Sequence, residues 1–347
     1  MNVYDCSLYQ EALRLAAERL TASGGTVLVT GATGLIGSCL TDVLLCANRT
    51  RGAAFRVLAL GRSEEKLRAR FAYADEKEIG FLAQDICAPI NCEEAPDYVV
   101  HAASNADPRT YALYPAETLL TNIRGAENVL RFCAEKAPSA RVLLTSTFEV
   151  YGKKENTDVY TETDFGETDV NAVRSCYPES KRCAEILFRC WAEEYGLNGV
   201  IARLSSIYGP TMAANDSKAH AQFLRRALAG QSILLKSEGL QRRSYTYVMD
   251  AVDGLLYLLF HPTASGAYNV SNENSVAAIR EVAETVAAVA GVEVAFELPD
   301  ETERRGFSRP QNCVLDNARL RALGWQGRYP LRDGIAQTYA ILRACAE

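Results

Sequence analysis

Short runs of apolar residues recur along this chain, and charged stretches with helical periodicity separate them. Residues 26–30 read Thr-Val-Leu-Val-Thr, and residues 56–60 read Arg-Val-Leu-Ala-Leu. Further runs stand at 80–82, 98–101, 142–145 and 200–202. Runs this short, without polar alternation, predict strands buried on both faces. Between them the pattern changes to helical, with a helix from the glycines after residue 30 to about Leu45 and a charged helix at 63–71. Strand–helix alternation of this kind predicts a doubly wound α/β fold, a Rossmann parallel sheet covered on both sides. Ahead of it, residues 8–20 place Leu13, Ala16, Ala17 and Leu20 on one stripe, which predicts an additional docked helix. Beyond residue 210 the order is less regular, with helices expected near 216–229, 250–260 and 275–290 and a strand at 293–298. That part is expected to form a smaller C-terminal α/β substrate-binding lobe. The expected boundaries are a helical extension at 1–25, the dinucleotide-binding domain at 26–210 with returning chain near 240–260, and the lobe at 211–347.

Composition narrows the function classes. The chain has 347 residues, 48% hydrophobic and 23% charged, enough for a sizeable core. A net charge of −6 excludes a general polyanion binder, since nucleic-acid affinity of that kind comes from clustered Lys and Arg. The 11 cysteines are scattered and form no CxxC pair, and the 3 histidines lie far apart, so neither a disulfide framework nor a metal site is expected. No signal-peptide pattern opens the sequence, and no apolar run reaches membrane-spanning length. A cytoplasmic protein is the expectation.

The chemistry begins at Gly31, Thr33, Gly34, Leu35, Ile36 and Gly37, in the run Thr-Gly-Ala-Thr-Gly-Leu-Ile-Gly. Glycines between a strand and a helix let backbone N–H groups approach a pyrophosphate. Asp85, followed by Ile86, is a candidate acceptor for an adenine amino group, or alternatively a helix cap. His101, Ala102 and Ala103 end another strand with small residues that leave room for a cofactor. At the end of the second strand Arg62 stands where an acid would hold a ribose; it either pairs with the 2′-phosphate of NADP or stacks on adenine in an enzyme that uses NAD. NAD is slightly favoured.

Tyr177 and Lys181 are spaced i, i+4 on a predicted helix and share a face. A tyrosine titrates at about 10, so a base useful near neutrality needs a fixed positive charge beside it. Thr147 and Glu149 follow a strand, where a hydroxyl and a carboxylate can face the same opening.

In their order, TGATGLIG, HAAS, TSTFEVYG, YPESK, the Arg203–Pro210 run RLSSIYGP, RRSYTYVMD and LGW resemble the NAD-dependent epimerase/dehydratase family of extended short-chain dehydrogenases, over roughly residues 26–340. The resemblance implies that Thr147 is the hydroxyl of the site, Tyr177 the base and Lys181 the ribose-binding lysine, acting on a nucleotide-sugar through a transient 4-keto intermediate. It also implies a homodimer. In this family a 4,6-dehydratase carries Asp-Glu before the VYG, and a UDP-glucuronate decarboxylase Ser-Glu. Here Phe148-Glu149 retains the carboxylate but not the acid that would protonate a departing C6 hydroxyl, which makes decarboxylation the first expectation, with 4-epimerisation or 4,6-dehydration as alternatives. Arg243 and Arg309 match positions that hold the nucleotide's diphosphate. Ser206 departs from the family's usual Asn in a substrate-contacting loop. Two readings of other classes are an NADP-dependent ketone or aldehyde reductase, which would show net cofactor turnover, and a non-catalytic dinucleotide sensor, which would have little use for a Tyr/Lys pair.

Overall fold

The computed structural model describes residues 2–155, 157–307 and 311–346. Seven strands form one parallel sheet: β1 (Gly24–Thr30), β2 (Ala54–Gly61), β3 (Ile79–Ala83), β4 (Tyr98–His101), β5 (Arg141–Thr147), β6 (Asn198–Leu204) and β7 (Gly266–Val270), in the spatial order β7-β6-β5-β4-β1-β2-β3. The chain order reverses beside β1, the switch point at which a doubly wound sheet opens a crevice beyond its strand ends.

Successive strand residues point to opposite faces, and the sequence supplies apolar side chains for both. Val27, Val29, Val57, Ala59, Val100 and Leu143 belong to one core. Their neighbours Leu28, Leu58, Val99, Val142, Leu144 and Ile201 belong to the other. The first face is covered by α1 (Ser7–Ala17), α2 (Leu35–Arg51) and a later helix, Val248–Phe260. The second is covered by Pro115–Lys136 and Cys176–Tyr195.

The expected elements are present, with differences at their ends. Helix α2 runs beyond Leu45 to Arg51, where Gly52 closes it in the left-handed conformation at φ 63°. The expected N-terminal stripe is buried along its whole length. The largest difference is β7. The returning chain was expected near 240–260, yet it continues past the helix Val248–Phe260 to add an edge strand beside β6. The remaining chain builds a small sheet of Val276–Ala278, Arg242–Tyr247 and Ser206–Tyr208, with Ile233–Leu235 pairing Val294–Phe296 nearby.

Candidate functional site

The carboxyl ends of β1, β4 and β5 lie side by side, Thr30 opposite His101 and His101 opposite Leu144. After β1 the chain turns sharply. Gly31 has φ 68°, a left-handed value that favours glycine, and a Cβ there would sit 2.8 Å from the backbone of Ala103. A Cβ on Gly37 would lie 2.4 Å from the Gly31 carbonyl oxygen. The turn is therefore bare backbone pressed against the end of β4. Thr33 and Gly34 are exposed, Leu35 and Ile36 are half-buried, and no side chain caps the N-terminus of α2 at Gly34. That leaves its first-turn N–H groups without a side-chain cap, as an anion-binding helix start requires.

A line of hydrogen bonds joins this turn to Lys181. The Thr30 hydroxyl contacts His101 Nδ1 at 2.8 Å and accepts from the Ala103 N–H at 3.2 Å. The Thr145 hydroxyl donates to the His101 carbonyl at 2.8 Å, and Lys181 Nζ donates to the Thr145 carbonyl at 3.0 Å. Burial lowers the His101 imidazole to about 3, helped by the Lys181 charge, so it is neutral at physiological pH. Burial also lowers Lys181 to about 8, with Glu185 acting against the fall.

Tyr177 and Lys181 occupy the first turns of the helix Cys176–Tyr195, on its buried face. The Tyr177 carbonyl accepts from Ser180 Oγ at 2.8 Å, Ser180 Oγ accepts from Asn122 Nδ2 at 2.9 Å, and Asn122 Oδ1 accepts from Ser104 Oγ at 2.8 Å. Burial pushes the Tyr177 phenol up to about 12 and the Glu149 carboxylate adds to the rise; the Thr147 and Tyr111 hydroxyls and the Arg174 guanidinium pull it back. The Thr147 and Tyr177 side chains thus meet in the structure. Thr147 Oγ1 also accepts from the Glu149 N–H at 3.3 Å.

Three participants had not been singled out from sequence as site residues. Tyr111 stacks on Tyr177 with ring centres 4.6 Å apart, the Arg174 guanidinium lies 4.5 Å from the Tyr111 ring centre, and Asn122 braces the start of the helix. Arg174 stands three residues before Tyr177, a spacing that places both near one helix start and was the available signal. Tyr111 and Asn122 come from helices far away in sequence and gave none.

A cleft opens beside this cluster, walled by Glu149, Arg174, Phe148, Arg243, Phe307 and Gln311. Glu149 and Arg174 pair at 2.9 Å in its wall, and Arg243 lies 5.6 Å from the Phe148 ring centre. Tyr177, 7% exposed, lies beneath Tyr111.

The remaining candidates are more dispersed. Arg62 is exposed at the end of β2. Asp85 is exposed too, and its carboxylate accepts from the Cys87 N–H at 2.9 Å, so in this structure it closes its own turn. The side chain of Ile86 is buried in the second core. Ala102 and Ala103 are half-buried beside the glycine turn, and Ser206 is half-buried in the small sheet. Arg309 lies outside the described residues.

The sequence profile of the NAD dependent epimerase/dehydratase family matches residues 27–271. The chain belongs to that family. Among its relatives, UDP-glucuronic acid decarboxylase 6 of Arabidopsis thaliana is 32% identical over 89% of this chain and 86% of its own length. UDP-glucuronic acid decarboxylase 1 of Xenopus tropicalis is 30% identical over 91% of this chain and 72% of its own. The UDP-glucose 4-epimerase of Thermotoga maritima, solved with UDP-glucose, shares the fold at a TM-score of 0.77 and 22% identity, covering 93% of this chain and all of that one (100%). MoeE5, solved with UDP-glucuronic acid and NAD, shares it at 0.75 and 24%, covering 92% of this chain and 100% of that one.

NAD is the cofactor of this epimerase/dehydratase family, and the residues present fit it. The glycine turn leaves backbone N–H groups where a pyrophosphate belongs, and the buried Lys181 ammonium spends one of its N–H groups on Thr145 and has others to donate.

Proposed function

We propose that this chain is a nucleotide-sugar decarboxylase that converts UDP-glucuronate to the corresponding UDP-pentose, with NAD regenerated in each cycle. The observation that carries the reading is the Glu149–Arg174 pair at 2.9 Å in the cleft wall beside Tyr177 and Thr147, with Phe148 where a second acid would be needed to expel a hydroxyl as water. Relatives that carry the name UDP-glucuronic acid decarboxylase support it.

In this reading Tyr177 removes the proton from the sugar's C4 hydroxyl while the Thr147 hydroxyl holds the same oxygen. Bound NAD supplies the oxidant for this step and, later, the reductant that restores the C4 hydroxyl. Lys181 holds the nicotinamide ribose and stabilises the tyrosinate by its charge. A C4 ketone places the C6 carboxylate beta to a carbonyl, so the C5–C6 bond breaks with release of carbon dioxide and its electron pair passes into an enolate. A proton drawn from solvent is then returned to C5, and Glu149 is the residue assigned to pass it on. Gly31, Thr33, Gly34, Leu35, Ile36, Gly37, Asp85, Ile86, His101, Ala102 and Ala103 line the cofactor path, Arg62 meets its adenosine end, and Arg243, Arg309 and Ser206 receive the nucleotide. Residues 26–210 with the returning chain through β7 form the cofactor half, and the rest of 211–347 the substrate half.

We also read the chain as a cytoplasmic homodimer. Among the described residues no cysteine is in a disulfide, and Leu120, Ile186 and Tyr195 expose apolar surface on the helices Pro115–Lys136 and Cys176–Tyr195. Incubation with UDP-glucuronate followed by mass spectrometry tests the activity. Loss of carbon dioxide without net accumulation of NADH is expected; an unchanged mass or a loss of water would replace the reading with epimerisation or dehydration.

A further inference from the structure

The Arg174 guanidinium is placed unusually for a structural ion pair. Its side chain is 15% exposed, on the wall of the cleft. One face is covered by the Tyr111 ring, with the guanidinium carbon 4.5 Å from the ring centre, and it lies 6.0 Å from the ring centre of Tyr177. With a face covered, its N–H donors act in the guanidinium plane, the geometry in which a guanidinium grips a carboxylate. Glu149 takes that place now, at 2.9 Å.

A hexuronate brought to Tyr177 by its C4 hydroxyl presents a C6 carboxylate on the neighbouring ring carbon, next to this cation. We propose that Arg174 is the receptor for that carboxylate, exchanging Glu149 for the C6 carboxylate of a nucleotide-linked hexuronic acid, and that the exchange selects hexuronates over neutral hexoses. The inference deepens the decarboxylase reading and rests on it for the orientation of the sugar. A neutral hexose has no carboxylate to displace Glu149 from Arg174, so the pair stays closed and Tyr177 stays beneath Tyr111. A hexuronate draws Arg174 from Glu149 to its own C6 carboxylate, frees the Glu149 carboxylate to relay a solvent proton and loosens the Tyr111 ring from Tyr177, with the guanidinium kept near the phenol. Among the described residues the other guanidinium of the cleft is that of Arg243, which lies over Phe148 and is assigned to the nucleotide.

Calorimetric binding to the NAD-loaded protein tests the proposal, with UDP-glucuronate, UDP-glucose and UDP as ligands. Wild type is expected to prefer UDP-glucuronate over UDP-glucose by about tenfold or more, as a charged hydrogen-bonded pair would give. Arg174→Gln should bring the two within about twofold while leaving the Kd for UDP unchanged, and Arg174→Lys, which retains the charge without the planar fork, should keep part of the preference. Glu149→Gln removes the competing carboxylate and should tighten UDP-glucuronate alone. An unchanged preference in Arg174→Gln, its loss in Arg243→Gln instead, or weaker UDP-glucuronate binding in Glu149→Gln would overturn the assignment. The two readings fail separately: release of carbon dioxide with an Arg174-independent preference sinks only the receptor, whereas an Arg174-dependent preference without release of carbon dioxide sinks only the decarboxylase.

Discussion

At the scale of single residues, burial rather than residue type sets the chemistry. Tyr177 is pushed up to about 12 by desolvation and Lys181 down to about 8, so the hydroxyls and cations around the phenol must act against the first shift for a base to work near neutrality. Tyr177→Phe keeps the ring and its stacking but removes the proton acceptor; kcat is expected to fall by about 10²–10⁴-fold with NAD still bound, read by steady-state kinetics and by the cofactor content of the purified protein. His101 provides a stability test. In the unfolded chain it takes up a proton below about 6.5, but the folded form resists until about 3, so the unfolded state binds more protons between those values. Stability is therefore lost as pH falls from 6.5 towards 3, by up to about 5 kcal/mol from this group. Urea midpoints measured across that window should slope less steeply in His101→Asn, and identical slopes would mean that the imidazole is protonated in the fold. Tyr177, Lys181, Thr147 and Glu149 were legible because short motifs hold them at fixed spacing. Tyr111 and Asn122 were not, because their roles exist only once separate helices are brought against Tyr177 and Ser180.

At the scale of elements, the glycine turn and the strands were readable for one reason: a buried parallel strand is a short apolar run, and the turn that follows must lack side chains where another backbone passes. Strand β7 hid because its sequence, Gly-Ala-Tyr-Asn-Val, carries a polar residue in a fully buried position. Asn269 is tolerated there because its amide donates to the carbonyls of Tyr160 and Asp316 at 2.9 Å each and accepts from the Tyr151 hydroxyl at 2.6 Å, partners supplied by remote segments. The glycines separate two effects. Gly31→Ala meets both a left-handed φ of 68° and a contact of 2.8 Å with Ala103, so it should destabilise the protein by about 1–3 kcal/mol and weaken NAD binding as the turn shifts. Gly52→Ala has a similar φ of 63° but open space around the added methyl, so it should cost about 1 kcal/mol and leave NAD affinity alone. Thermal melts paired with NAD titrations distinguish the two, and an NAD affinity unchanged in Gly31→Ala would remove the turn from the cofactor site.

For the whole molecule, the question is whether the segment ahead of the family's matched region is an ornament or part of the core. The match begins at residue 27, yet Tyr9, Ala12, Leu13, Ala16, Ala17 and Leu20 are buried in the same core as the first face of the sheet. The extension is also tied in by charge. Asp42 of α2 is completely buried, and its carboxylate accepts from the Tyr9 hydroxyl at 2.7 Å as well as from Tyr73 and Arg70. Desolvation raises the Asp42 carboxyl while its three partners lower it, so each partner offsets part of a burial penalty that the others cannot remove alone. Tyr9→Phe preserves the ring and deletes one of those hydrogen bonds, which should lower stability by about 1.5–3 kcal/mol, the usual range for a bond to a charged group, without altering NAD affinity. Removing residues 1–20 does more, because it strips the apolar cover from α2 at about 1.5–3 kcal/mol for each large side chain withdrawn and leaves Asp42 underpaired. The truncated chain should melt well below the full protein and aggregate through the bared face of α2, as followed by differential scanning calorimetry and light scattering. A truncated protein with an unchanged melting temperature would show that the extension merely rests on a core that is already complete without it.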